Sequence, residues 1–205
     1  MKGTLIVFDG VDGSGKGTMV REAHQFLLQK GVLPENILLT AEPTRGYFGK
    51  KVRELLDSQI NPNLNAQQFL DLYLADRKEH VEKEIIPALA AGKIILCDRY
   101  KYSTFVYQQL QGIPLEKIQN LHEGMPVPDL VFILDLSVDA ALKRIARRKK
   151  TEVFEHRRFL EKVRIGFLEL QRVFPKEEIV FIDASRSIKE VSSRIGTVLS
   201  AKLEL

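Results

Sequence analysis

The sequence predicts an α/β fold: a central parallel five-stranded sheet with helices on both faces. Three short apolar runs, at 5–9, 94–98 and 130–135, read as strands buried on both sides. Runs at 37–40 and 179–183 are weaker candidates for two more strands. Helical stretches at 16–30, 65–91, 100–111, 138–148, 156–173 and 187–203 lie between and after them. Alternating strands and helices build a parallel sheet, because each parallel return needs a crossover. Pro87 falls inside the longest helical stretch and should kink or break it.

Composition agrees. The 205 residues are 44% hydrophobic and 28% charged, which excludes a disordered chain and suits a single domain over 1–205. Cys97 is the single cysteine, so a disulfide framework or a multi-cysteine zinc site is excluded. Within its strand run it reads as a buried residue, not a nucleophile. The first apolar run is too short to span a membrane, and a cytoplasmic protein without membrane attachment is expected. Net charge is +4, but residues 143–158 hold eight basic and two acidic side chains, so the rest of the chain is negative. A focal cluster suits a small polyphosphate. A nucleic-acid backbone favours a broad basic face, so no nucleic-acid partner is expected. The irregular stretch at 147–156, within that cluster, is where a short lid fits.

The segment Gly10-Val11-Asp12-Gly13-Ser14-Gly15-Lys16-Gly17-Thr18 follows the first strand and opens the first helix. Its glycines let successive N–H groups turn inward around an anion at a helix N-terminus. Lys16 adds a full positive charge for the β- and γ-phosphates of a nucleoside triphosphate. In this context the expected architecture is the three-layer P-loop NTPase fold. The hydroxyl that usually follows the lysine is replaced by Gly17, and Thr18 comes one place later. Either Thr18 reaches the Mg2+ ion or a phosphate, or the metal is held by water, phosphate oxygens and a strand-end carboxylate. Asp9 and Asp98 are the candidates for that carboxylate. They and Asp135 each close a strand run, at the edge where open α/β sheets bind ligands.

A second segment, from Asp98 to Gln108, reads DRYKYSTFVYQ. Arg99 can grip a phosphate with two parallel hydrogen bonds. On a helix, Ser103 and Tyr107 are four apart and Thr104 and Tyr107 three apart, so they share a face that can line a nucleoside slot.

This block resembles the thymidylate kinase family, whose pattern D-R-Y-x-x-S-x-x-[AV]-Y-Q it fits. The glycine-rich cradle, Glu42-Pro43-Thr44-Arg45 and Tyr73-x-x-Asp76-Arg77-x-x-His80 agree in order. Further matches are Pro128-Asp129-Leu130, Leu134-Asp135-Leu136, Phe154-Glu155 and Asp183-Ala184-Ser185, so the similarity covers roughly residues 3–195. The resemblance implies phosphoryl transfer from ATP to dTMP, with Mg2+, in a homodimer. It implies that Tyr73 stacks on the thymine ring and Arg77 hydrogen-bonds the base. Arg45 and Arg99 would hold the acceptor phosphate, and Asp12 would reach the sugar 3′-hydroxyl. Tyr107 would pack near C2′, with Ser103, Thr104 and Gln108 at the base. The cradle lacks the arginine some members place there, so a lid arginine, Arg147 or Arg148, would act with Lys16 and Arg99 at the transition state. Asp76 and His80 also read as an ordinary surface pair one helical turn apart. Two other readings stay open: a kinase for another nucleoside monophosphate or a deoxynucleoside, and a P-loop ATP-binding module without transferase activity.

Overall fold

The computed structural model describes residues 3–58, 65–147, 154 and 156–205. Five strands form one parallel sheet: β1 (Thr4–Gly10), β2 (Ile37–Ala41), β3 (Ile94–Asp98), β4 (Leu130–Asp135) and β5 (Ile179–Asp183). They lie in the order β2-β3-β1-β4-β5. The register sets Val7 beside Cys97 and Val131. Leu5, Ile6, Val7 and Phe8 point alternately to the two faces, yet each is fully buried. Both faces of the sheet are therefore covered, and this explains why the strand runs are continuously apolar. Ten helices supply the cover among the described residues: α1 (Lys16–Gln29), α2 (Tyr47–Asp57), α3 (Ala66–His80), α4 (Ile86–Ala90), α5 (Lys101–Leu110), α6 (Leu115–Leu121), α7 (Val138–Ile145), α8 (Arg157–Leu168), α9 (Leu170–Val173) and α10 (Ile188–Leu203).

The five expected strands are all present, and the fold is the expected α/β arrangement. The helices differ in detail. The stretch expected at 65–91 becomes α3, a π-helical turn over Val81–Ile85, and α4. Pro87, in the first turn of α4, has no N–H to give, and the wider turn before it absorbs the missing bond. The stretch at 156–173 breaks at Glu169 into α8 and α9. Helices α2 and α6 were not expected. Inside α2, Gly49 lets the helix lie on the preceding loop, since a Cβ there would sit 2.1 Å from the Thr44 carbonyl oxygen.

Sequence order reverses around β1, with β3 on one side and β4 on the other. This leaves a crevice at the carboxyl end of β1, where an open α/β sheet takes its ligand.

Candidate active site

The cradle forms at that crevice. Gly13 has φ +81°, and a Cβ on it would meet the Ala141 carbonyl oxygen at 2.8 Å, so both its conformation and the packing of α7 require glycine. Lys16 opens α1, and its ammonium donates to the carbonyls of Gly10 and Val11, each at 3.0 Å. Burial, and then the nearby cation of Arg99, push its pKa down to about 8. The Ser14 hydroxyl is buried with no hydrogen-bond partner among the described residues, as an anion-binding nest leaves its polar groups.

Gly17 has a steric reason. A Cβ at that position would lie 3.0 Å from Asp98 Oδ2, so the strand-end carboxylate reaches over the place where the usual side chain stands. Asp98, Lys16, Gly17 and Thr18 line one cavity of about 410 Å3. The donor set there, a carboxylate and a hydroxyl beside a phosphate cradle, fits Mg2+, which keeps most of its water. Asp9 does not belong to it, contrary to expectation. Its Oδ1 accepts from Gly10 N–H at 2.9 Å and the Ser103 hydroxyl at 2.7 Å, and its Oδ2 from Ser103 N–H at 3.1 Å and Tyr100 N–H at 3.4 Å. It is fully buried and caps the start of α5 from the neighbouring strand.

The second segment faces a cavity of about 220 Å3, lined by Tyr73, Ser103, Thr104, Tyr107 and Gln108 among others. Arg99 stands between the two cavities with φ +70°, a conformation costly for any residue but glycine. Its guanidinium donates to the Ser103 hydroxyl at 2.8 Å and to Asp12 Oδ1. Tyr107 donates its phenol to Asp12 Oδ2 at 2.9 Å, and burial followed by that carboxylate pushes its pKa up. Tyr73 lies half-buried on the wall, its ring 6.5 Å from that of Phe69.

Four further expected placements are not met. Arg77 does not line the cavity. It is buried behind Thr104 and bonded on every side, so Thr104 stands between it and the space where a base fits. Arg45 is exposed and borders none of these cavities. Arg53, in α2, does border them. It lines both cavities and donates to the carbonyls of Pro43 and Thr44. Arg147 is exposed past the end of α7 and borders neither cavity, and Arg148 lies outside the described residues. Asp76 and His80 are not a surface pair. Both are buried, with Asp76 accepting from the Thr44 N–H and hydroxyl and His80 facing Glu42.

The structure also brings in Arg144 and Arg186, which the motifs did not mark, beside Ala184 and Phe154, which they did. A third cavity, about 260 Å3, lies beyond the cradle against Ser14, Arg144, Ala184 and Arg186. Arg144 donates to the Ala184 carbonyl at 3.0 Å, and to those of Gly13 and Ser14 at 3.4 Å. Phe154 closes the first cavity, its ring 5.4 Å from that of Tyr107. The signal for Arg144 was its place in the basic cluster at 143–158, and no motif marks Arg53.

A parallel sheet whose first strand runs through a glycine nest into a helix, with lysine and a strand-end aspartate in the same cavity, defines the P-loop class of nucleotide-binding proteins. The family model described as thymidylate kinase matches residues 8–195. The chain is 40% identical over 195 residues to "Thymidylate kinase" of Desulfotalea psychrophila, covering 94% of this chain and 92% of that one. It is 36% identical over 207 residues to "Probable thymidylate kinase" of Pyrococcus abyssi, covering 99% and 98%. With "Thymidylate kinase" of Brachyspira hyodysenteriae it shares 38% over 206 residues, covering 99% and 97%. The chain belongs to the thymidylate kinase family.

Proposed function

We propose that the chain transfers the γ-phosphoryl group of ATP to dTMP, giving dTDP and ADP on the way to dTTP. The observation that carries this reading is a row of three cavities along one edge of the sheet. The first and second share Asp12, Pro43, Arg53 and Arg99 in their walls, and the second and third share Gly13, Gly15 and Thr18. Two nucleotides fit such a row with their bases outermost and their phosphates meeting over the cradle. The acceptor base lies against Tyr73, Thr104 and Gln108, its sugar near Asp12 and Tyr107, and its phosphate between Arg53 and Arg99. The donor's phosphates lie in the loop from Gly10 to Thr18, and its base against Arg144, Ala184 and Arg186.

An acceptor phosphate is ionised at neutral pH, so no general base is needed. Alignment and charge stabilisation carry the reaction. Arg99 stands on the shared wall and Lys16 lies beside it, 4.0 Å from Asp12 Oδ1, where the transferring group carries its charge. Mg2+, held by Asp98 and Thr18, would neutralise the phosphate oxygens of the donor. The Tyr107 phenol narrows the space beside the sugar and disfavours a 2′-hydroxyl. The same reading includes the homodimer that the family resemblance implies, with sedimentation equilibrium as its check. It also includes a cytoplasmic setting; among the described residues no helix is long and apolar enough to cross a membrane.

A coupled assay with ATP–Mg2+ and, side by side, dTMP, dUMP, UMP, CMP and AMP tests the function. The expected result is the highest kcat/KM for dTMP. A clear preference for another monophosphate, or turnover independent of all five, would overturn it.

A further inference from the structure

Position 17 has no side chain, and a guanidinium lies beside the bare backbone there. Arg21 follows Gly17 by four residues and Thr18 by three, so the three share one face of α1. Its Nη2 donates to the Thr18 hydroxyl at 3.3 Å. That oxygen keeps a second lone pair, so the bond is compatible with a metal ion at Thr18. A Cβ on Gly17 would lie 3.8 Å from Arg21 Nη1 and 3.0 Å from Asp98 Oδ2, so a cation and a carboxylate flank the same small space. The Arg21 side chain is exposed and lines the second cavity with Lys16, Thr18, Asp98 and Arg99. The other cations of that cavity are engaged. Lys16 holds the carbonyls of Gly10 and Val11, Arg99 holds Asp12 and Ser103, and Arg53 holds the carbonyls of Pro43 and Thr44. Of the five N–H donors of Arg21, one is used among the described residues, in a long bond to a neutral oxygen. Arg21 stands near Asp98, and neither borders the third cavity, where the donor base lies on the reading above. The end of a triphosphate remote from its base is therefore the part within reach of Arg21.

We propose that Arg21 is a binding residue for the terminal phosphate of the donor: a cation that the bare Gly17 backbone admits to the mouth of the cradle, and that sets a preference for ATP over ADP. A guanidinium presents two parallel N–H groups to a phosphate, and the γ-phosphate brings oxygens to this place that a diphosphate lacks. The β-phosphate of ADP, held in the loop by backbone N–H groups and Lys16, lies one phosphate further in. With Mg2+ beside Asp98, a second cation at Arg21 is favourable only while phosphate charge lies between the two, so the contact belongs to the nucleotide-bound protein. After transfer the contact is gone, and ADP is held more loosely. The inference rests on the reading of the second cavity as the triphosphate site, and it deepens that reading by assigning a role to a residue that no motif marks.

The test is titration calorimetry in Mg2+ with two probes, ADP and the β,γ-imido analogue of ATP. It compares wild type, Arg21→Met, Arg21→Lys and Lys30→Met. Arg21→Met keeps a long side chain and loses the charge. It should weaken binding of the analogue about tenfold or more and of ADP about threefold or less. Arg21→Lys keeps the charge without the fork, so its affinity for the analogue should fall between those of wild type and Arg21→Met. Lys30→Met removes a charge at the far end of the same helix and should leave both affinities unchanged. Equal weakening of the two probes by Arg21→Met, no weakening of the analogue, or the same change in Lys30→Met would each overturn the proposal. Arg21 is exposed, so its variants should fold, with an unchanged thermal melt as the check. No binding of the analogue to wild type would overturn both the proposal and the triphosphate reading beneath it. Neither probe involves the acceptor. Absence of dTMP transfer in the wild type would refute the choice of acceptor, while the titrations still judge Arg21.

Discussion

Lys16 and Arg99 each combine charge with a costly setting. Lys16 is a buried ammonium, and its acidity follows from that. The charged form should be lost as pH rises through about 8 in the free protein, so kcat/KM for ATP should fall there. Bound polyphosphate restores the charge, so kcat should hold to higher pH, and paired pH profiles check both. The sign for stability is opposite. Between about 8 and 10.5 the unfolded chain binds more protons at this residue than the folded one, so this group's contribution grows more favourable with pH. Arg99 holds a positive φ so that its guanidinium stands on the wall shared by the first two cavities. Arg99→Ala should lower the transfer rate by about 10³–10⁵ with the circular dichroism spectrum unchanged, and near-normal turnover would remove Arg99 from the reaction. The sequence located both residues, because glycine spacing and a strand-end Asp-Arg pair are local signals. It misplaced Arg77 and Arg45, because whether an arginine faces a ligand or a neighbouring side chain depends on contacts far away in the chain.

Among the elements, α5 carries most of the acceptor wall, and it is anchored from outside itself. Tyr100, at its N-cap, gives no side-chain cap, and Asp9 on β1 supplies the missing acceptor for two of its N–H groups. The two strand-end aspartates should therefore separate cleanly in a test. Asp98→Asn should raise the Mg2+ concentration needed for half-maximal rate by about tenfold or more. Asp9→Ala should leave that requirement alone and lower Tm instead, since it removes the cap of a buried helix. An equal Mg2+ shift in both variants would return Asp9 to the metal. Strands were legible in the sequence because each is a continuous apolar run with a fixed end. Helix α2 was not. Its Val52, Leu55 and Leu56 keep helical spacing, but Gly46 and Gly49 interrupt the pattern, and the reason for Gly49 is a tertiary contact with Thr44. Helix α6 has only seven residues and leaves a pattern too short to stand out.

For the molecule as a whole, the buried Glu42–Arg77 pair ties the end of β2 to α3, and through Tyr100 and His122 to the segments before α5 and after α6. Arg77, and then bonding from His80, hold the Glu42 carboxyl below its ordinary value against the cost of burial. Its stabilising contribution is therefore complete above about 4.5 and is lost as pH falls through the lower folded value. Thermal melts of wild type and Glu42→Gln should converge in acid and diverge near neutrality, and parallel curves would rule the pair out as an acid-sensitive support. Removing one charge altogether, as in Glu42→Leu, should cost about 3–5 kcal/mol, because the cation stays buried without its partner.

Gly17 sets a limit on redesign. The contact between its vacant Cβ direction and Asp98 Oδ2 means that the loop and the end of β3 occupy one shared volume. A serine grafted there from the commoner version of the motif would press on the Asp98 carboxylate, which must give way by a few tenths of an ångström to admit it.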